Sequence, residues 1–171
     1  MGINYNVDPM KKASIFLILS FLLCIQAADS AKAIEGLIKF SGKKDATIFL
    51  EVADTPEEKQ KGLMNRPSLK KDRGMVFIFR PPSSVTFWMK DTLIPLDMIF
   101  IKEGTIVKIV KNTEPNQTHI LYSSDEIITE VVEVNGGFAD EFEIKAGDKI
   151  TFENIAQIDY SKKSKLMIVE N

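Results

Sequence analysis

The chain has one cysteine, one histidine and one tryptophan in 171 residues. A single cysteine excludes an intramolecular disulfide framework, and with one histidine it excludes zinc sites built from several such ligands. Neither sign of charge is in excess: 22 Lys and Arg stand against 24 Asp and Glu, a formal net charge of -2. That balance argues against a protein that holds nucleic acid by bulk positive charge. The sequence has no phosphate-binding glycine-rich loop, no dinucleotide fingerprint and no Gly-x-Ser-x-Gly elbow. It shows no internal repeat and no strand–helix alternation of the kind that builds a parallel α/β sheet.

What is there begins with a leader. Residues 13–25, ASIFLILSFLLCI, carry no charge; Lys11 and Lys12 precede them, and Ala27, Ala28, Ser30, Ala31 and Ala33 follow. A basic start, a short apolar run and small residues make a secretory signal over residues 1–30, with cleavage between about 28 and 33. The run is shorter than the roughly 20 residues of a spanning helix, so an uncleaved membrane anchor is the lesser alternative. Met10 is the more natural start of such a signal. Leu22 and Leu23 stand where a lipobox needs small residues, so Cys24 belongs to the apolar run and the mature protein is expected to lack a thiol. Removing residues 1–30 takes away Lys11, Lys12, Asp8 and Asp29 and leaves the net charge unchanged. The expected location is therefore the periplasm or the extracellular space.

Residues 31–160 read as one mostly β domain, and 161–171 as a tail that is either a frayed end or an added edge strand. Apolar runs at 34–40 and 46–53 flank a turn and predict a hairpin. Thr55, Pro56, Glu57 and Glu58 predict a capped helix start, with the helix running to Leu63 or Met64. Further strands are expected at 75–79, 85–89, 98–102, 105–110, 127–134 and 149–154, with Pro81-Pro82 ending the first of them and one helical turn at 138–142. About eight short strands with one or two short helices imply a small β-barrel or sandwich.

Chemistry must then come from carboxylates, Lys, Arg and Trp. His119 lies in the polar run Asn116-Gln117-Thr118 and reads as a loop residue without a nucleophile to serve. The densest unusual segment, residues 87–97, holds Trp88 beside Lys90, Asp91 and Asp97. Its functional reading is a shallow site, with Trp88 as stacking platform and Lys90 and Asp91 as polar contacts. Its structural reading is a bend, with Asp91 and Asp97 accepting backbone N–H groups before Pro95. Arg66 follows the predicted helix and either pairs with Asp72 or Asp97 or offers a planar fork to a ligand. Glu133 and Asn135 end a strand at Gly136-Gly137; pairing Glu133 with Asp91 or Asp97 would give two carboxylates for acid–base chemistry. No loop with calcium-ligand spacing is visible, and no cofactor, metal or catalytic residue is assigned.

These blocks follow one another in order: Glu51-Val52-Ala53-Asp54-Thr55-Pro56-Glu57-Glu58, Gly62-Leu63-Met64, Gly74-Met75-Val76-Phe77, Phe87-Trp88-Met89-Lys90, Thr92-Leu93-Ile94-Pro95-Leu96-Asp97 and Glu133-Val134-Asn135-Gly136-Gly137. In this the chain resembles the DUF192 family, also called UPF0127, over roughly residues 34–154. The resemblance implies a small, mostly β, often exported bacterial protein, and supplies no catalytic residues. It points to Arg66 with residues 88–97 as the active region. Two positions depart from the family pattern: Asn65 where an aromatic residue or His is usual, and Asp91 where Asn is usual. The combined reading is an exported binding or accessory module of the cell envelope. Its candidate binding residues are Arg66, Trp88, Lys90, Asp91, Asp97, Glu133 and Asn135. Its partner is a small polar ligand or an envelope protein, with no nucleic acid and no membrane contact beyond an uncleaved leader. The alternatives are an enzyme using Asp91, Asp97 and Glu133, or a structural partner that pairs through an exposed strand edge.

Overall fold

The computed structural model describes residues 36–41 and 44–155. The leader, the Met10 start, Cys24 and the 161–171 tail lie outside the described residues. Among the described residues nine strands run in chain order: β1 (Gly36–Ser41), β2 (Ala46–Ala53), β3 (Arg73–Ser83), β4 (Thr86–Phe87), β5 (Leu96–Lys102), β6 (Thr105–Val110), β7 (Tyr122–Ser123), β8 (Ile128–Asn135) and β9 (Lys149–Glu153). Helix α1 (Pro56–Lys61) follows β2, and α2 (Phe138–Glu141) follows β8. Seven strands close into a barrel in the order β1-β2-β3-β8-β5-β6-β9, and β4 pairs with β7 as a separate ribbon. The barrel decides between the two expected architectures.

The expected hairpin forms, with Leu37 opposite Phe49 and Phe40 opposite Ala46. β2 and β3 are parallel, so the chain between them must cross over, and α1 lies on that crossover. Its start is the expected capping box: the Glu58 amide donates to Thr55 Oγ1, and the Thr55 amide donates to Glu58 Oε2. The helix stops at Lys61, short of the expected Leu63, because Gly62 takes a φ of 46° and donates to the Glu58 carbonyl. β3 runs through Pro81-Pro82 to Ser83, where a break was expected. Its register to β8 shifts between Ile78 and Ser83, so the prolines occupy the irregular stretch where no ladder amide is needed. The expected strand 85–89 shrinks to Thr86–Phe87, pairing with Tyr122–Ser123, where no strand was expected.

Alternation along the three central strands sorts side chains into two cores. Val76 and Ile78 of β3, Val132 and Val134 of β8, and Ile99 and Ile101 of β5 point into the barrel with Ile38, Leu50, Ile106 and Ile150. Phe138 and Ala139 of α2 join them and cap the barrel end. The other face carries Met75 and Phe77, Val131, and Met98 and Phe100, covered by Leu63, Met89, Phe87 and Tyr122. β8 is therefore buried on both faces.

At Gly74 the packing of β3 against β8 leaves no room for a side chain. A Cβ there would lie 2.6 Å from the Glu133 carbonyl oxygen and 3.1 Å from a Val134 methyl. Gly74→Ala is expected to cost about 3 kcal/mol, at the upper end of overpacking penalties, because backbone rather than a flexible side chain must yield. Denaturant midpoints measure it, and an unchanged midpoint would contradict the close approach.

Candidate functional site

A cavity of about 280 Å³ opens on the outer face of the central strands. One wall is the end of α1 and the segment after it: Lys59, Gln60, Lys61, Gly62, Leu63 and Met64. The other walls are Phe77 and Phe79 of β3, then Val85, Thr86, Phe87 and Trp88, with Thr92 and Glu133. Phe87 meets Phe77 edge to face at 5.1 Å and Phe79 at 6.4 Å, and behind them it meets Phe100 at 6.1 Å. Lys59 Nζ stands 5.1 Å from the centre of the Phe79 ring, and Lys90 Nζ 5.5 Å from that of Trp88.

Glu133 is the one acid in this lining. The ladder places it between Met75 of β3 and Met98 of β5, both on the apolar outer face. Its residue is 5% exposed, and its side chain makes no hydrogen bond or ion pair among the described residues. Burial alone pushes its carboxyl up from 4.5 to about 8. At neutral pH it is therefore mostly a carboxylic acid that can donate as well as accept.

The other expected site residues take different places. Asp97 is fully buried on the inner face, opposite Val134, and accepts from the amides of Asn112 (2.7 Å), Gly137 (3.0 Å) and Ala139 (2.8 Å). It pins α2 over the barrel end, which is the structural reading of this residue. Because Met98 and not Asp97 faces Glu133, the sheet puts the two carboxylates on opposite faces and does not assemble that pair. Arg66 pairs neither with Asp72 nor with Asp97 but grips Glu51 of β2 with both terminal nitrogens, at 2.5 and 2.6 Å. Asp91 is exposed at a φ of 54°, and its carbonyl accepts from the Asn65 amide at 2.7 Å. Asn135 donates to the Lys70 carbonyl at 3.0 Å. Arg66, Asp91 and Asn135 thus hold the pocket's outer segments in place and are absent from its lining. Lys90 reaches the site only through the Trp88 ring, and exposed His119 takes no part.

Of the candidate residues read from the sequence, Trp88 and Glu133 lie in the cavity lining, whose other members carry no such signal of their own. A collective signal was present in the MVFIF run, where Phe77 and Phe79 share a face with Met75. That both faces of such a strand need cover was legible, but not what covers them.

The family model of DUF192, described as an uncharacterized ACR, matches residues 37–152. The chain belongs to this family. A member-like solved structure, a protein of unknown function from Novosphingobium aromaticivorans, shares 33% identity at a TM-score of 0.68, covering 73% of this chain and 91% of that one. A protein of Sinorhizobium meliloti, described as a proposed transcription regulator, shares 30% identity at a TM-score of 0.66, covering 70% and 94%. No curated protein matches the chain.

Two stability predictions follow from the acids. Asp97→Ala leaves three backbone amides without their acceptor, that of Ala139 buried and those of Asn112 and Gly137 part-buried, and is expected to cost about 3 kcal/mol, with Asp97→Asn losing less because one acceptor oxygen remains. Matched denaturant curves decide it, and equal losses for Ala and Asn would contradict the assignment. For Glu133, the unfolded chain releases the proton near 4.5 and the folded chain near 8. Stability from this group is full below the lower value and is lost as pH rises through the upper one. At about 1.4 kcal/mol per unit the swing is on the order of 5 kcal/mol. Glu133→Gln should flatten this slope and leave the variant the more stable protein at alkaline pH, measured as Tm against pH; an unaltered slope would place the titration elsewhere.

Proposed function

We propose that this DUF192 protein is a binding module whose ligand enters the cavity between α1 and the Trp88 segment. One observation carries the reading: a buried carboxyl with no partner among the described residues lies in the lining of an aromatic-walled cavity. Leaving such a group unpaired costs folding free energy, and sites that bind small molecules combine apolar walls with a few placed polar groups in this way. Export to the envelope, read from the leader, is part of the same proposal.

The alternatives find less support. An acid–base enzyme needs a second carboxylate near Glu133, and Asp97 lies across the sheet from it. A partner that pairs through a strand edge would have to use the β6–β9 seam, where the barrel closes through the one pair Thr105 and Lys149, or the short β4–β7 ribbon. The regulator description of the Sinorhizobium protein gains nothing from a net charge of -2.

Trp88 is 45% exposed at the cavity wall, so its emission reports occupancy. A panel of small amphipathic compounds is expected to give saturable shifts that Val85→Phe, which fills the cavity, abolishes. A flat response across the panel, or shifts that survive Val85→Phe, would sink the site.

A further inference from the structure

We propose that the cavity takes a small zwitterion with an apolar body, its ammonium group seated at the Glu133 carboxyl and its acidic group held at the rim by Lys59 and Lys61. The inference rests on the cavity being a ligand site and specifies the ligand's chemistry.

The base of the cavity comes first. Among the described residues nothing answers Glu133: its strand neighbours are Met75 and Met98, and the Thr92 hydroxyl already donates to the Lys90 carbonyl at 3.2 Å. The other side-chain donors of the lining, Gln60, Thr86, Trp88 and the two lysines, make no hydrogen bond or ion pair with Glu133 among the described residues. A ligand hydroxyl would supply one hydrogen bond. An ammonium supplies hydrogen bonds and the opposite charge, which is what offsets the desolvation of a buried carboxylate. The walls favour the same group. Ring faces attract cations, and the Phe79 ring already holds the Lys59 ammonium at 5.1 Å.

The rim sets the other end. The charged groups that line the cavity besides Glu133 are Lys59 and Lys61, both from α1; β3, the Thr86–Trp88 segment and Thr92 bring none. A bare amine would enter against those two cations. An acidic group at the far end of the ligand turns that repulsion into attraction, so the charge order of the cavity, acid inside and base outside, is matched by a ligand of reversed order.

Calorimetry on the full chain with ε-aminocaproate, ε-hydroxycaproate and n-hexylamine tests this. The amino acid is expected to bind at least about tenfold tighter than either comparison compound. Its affinity should rise about tenfold per pH unit below 8, with one proton released per ligand, because the Glu133 acid must ionise to receive the ammonium. Glu133→Gln should abolish both the preference over the hydroxy acid and the proton release. Equal binding of the hydroxy acid would overturn the ammonium assignment and leave the cavity reading standing. Equal binding of hexylamine would overturn the rim assignment. Silence of all three compounds, with Trp88 still responding to the wider panel, overturns the zwitterion alone; silence together with a flat Trp88 response overturns the cavity reading as well.

Discussion

A carboxyl buried without a partner destabilises the fold around it, and in this barrel Glu133 cannot move to find one. Its strand, β8, is paired on both sides, to β3 and to β5, and packed on both faces. Gly74 brings the neighbouring backbone so close to the Glu133 carbonyl that even a methyl group would not fit. Alternation then leaves the side chain no choice of face: Val132 and Val134 fill the barrel, so Glu133 must stand outside among Met75 and Met98. The cost is met by the burial of both cores, and what it leaves behind is a fixed polar group under an apolar cover.

That cover is held by contacts that look like site chemistry in the sequence. Arg66 has the planar fork of an anion-binding residue, and spends it on Glu51. Asp97 has the burial of a catalytic acid, and uses both oxygens on three backbone amides. Asn135 ties the segment before β3 to the end of β8. Under the proposed binding role, each fixes a loop that a ligand would otherwise have to order, and ordering loops at the moment of binding weakens affinity. These polar residues belong to the preorganisation of the cavity, one step removed from its surface.

The fold was largely legible because its determinants are local. Period-two runs mark the strands, Thr55 to Glu58 mark the helix start, and Glu103-Gly104, with φ of 48° and 75°, mark the β5–β6 hairpin. The errors fall where tertiary context decides. Pro81-Pro82 reads as a stop but lies at a register shift, and Thr86–Phe87 is a strand only because Tyr122–Ser123 returns to it from a polar stretch. The site was half legible for the same reason. Glu133 between valines is visible in the sequence, whereas Lys59, Leu63 and Phe79 come together only through the parallel β2–β3 crossover, and no local pattern encodes that.

The two departures from the family pattern bear on which residues could ever contact a ligand. Asn65 and Asp91 have φ of 61° and 54°, the left-handed region that Asn and Asp enter at less cost than other side chains. Their link is a backbone hydrogen bond, Asn65 amide to Asp91 carbonyl, which needs neither side chain. Position 91 is therefore chosen by its backbone angle, and Asn and Asp satisfy that requirement about equally. An exchange of amide for carboxylate there leaves the cavity lining untouched. Position 91 thus belongs with the residues that shape this cavity and not with those that face it.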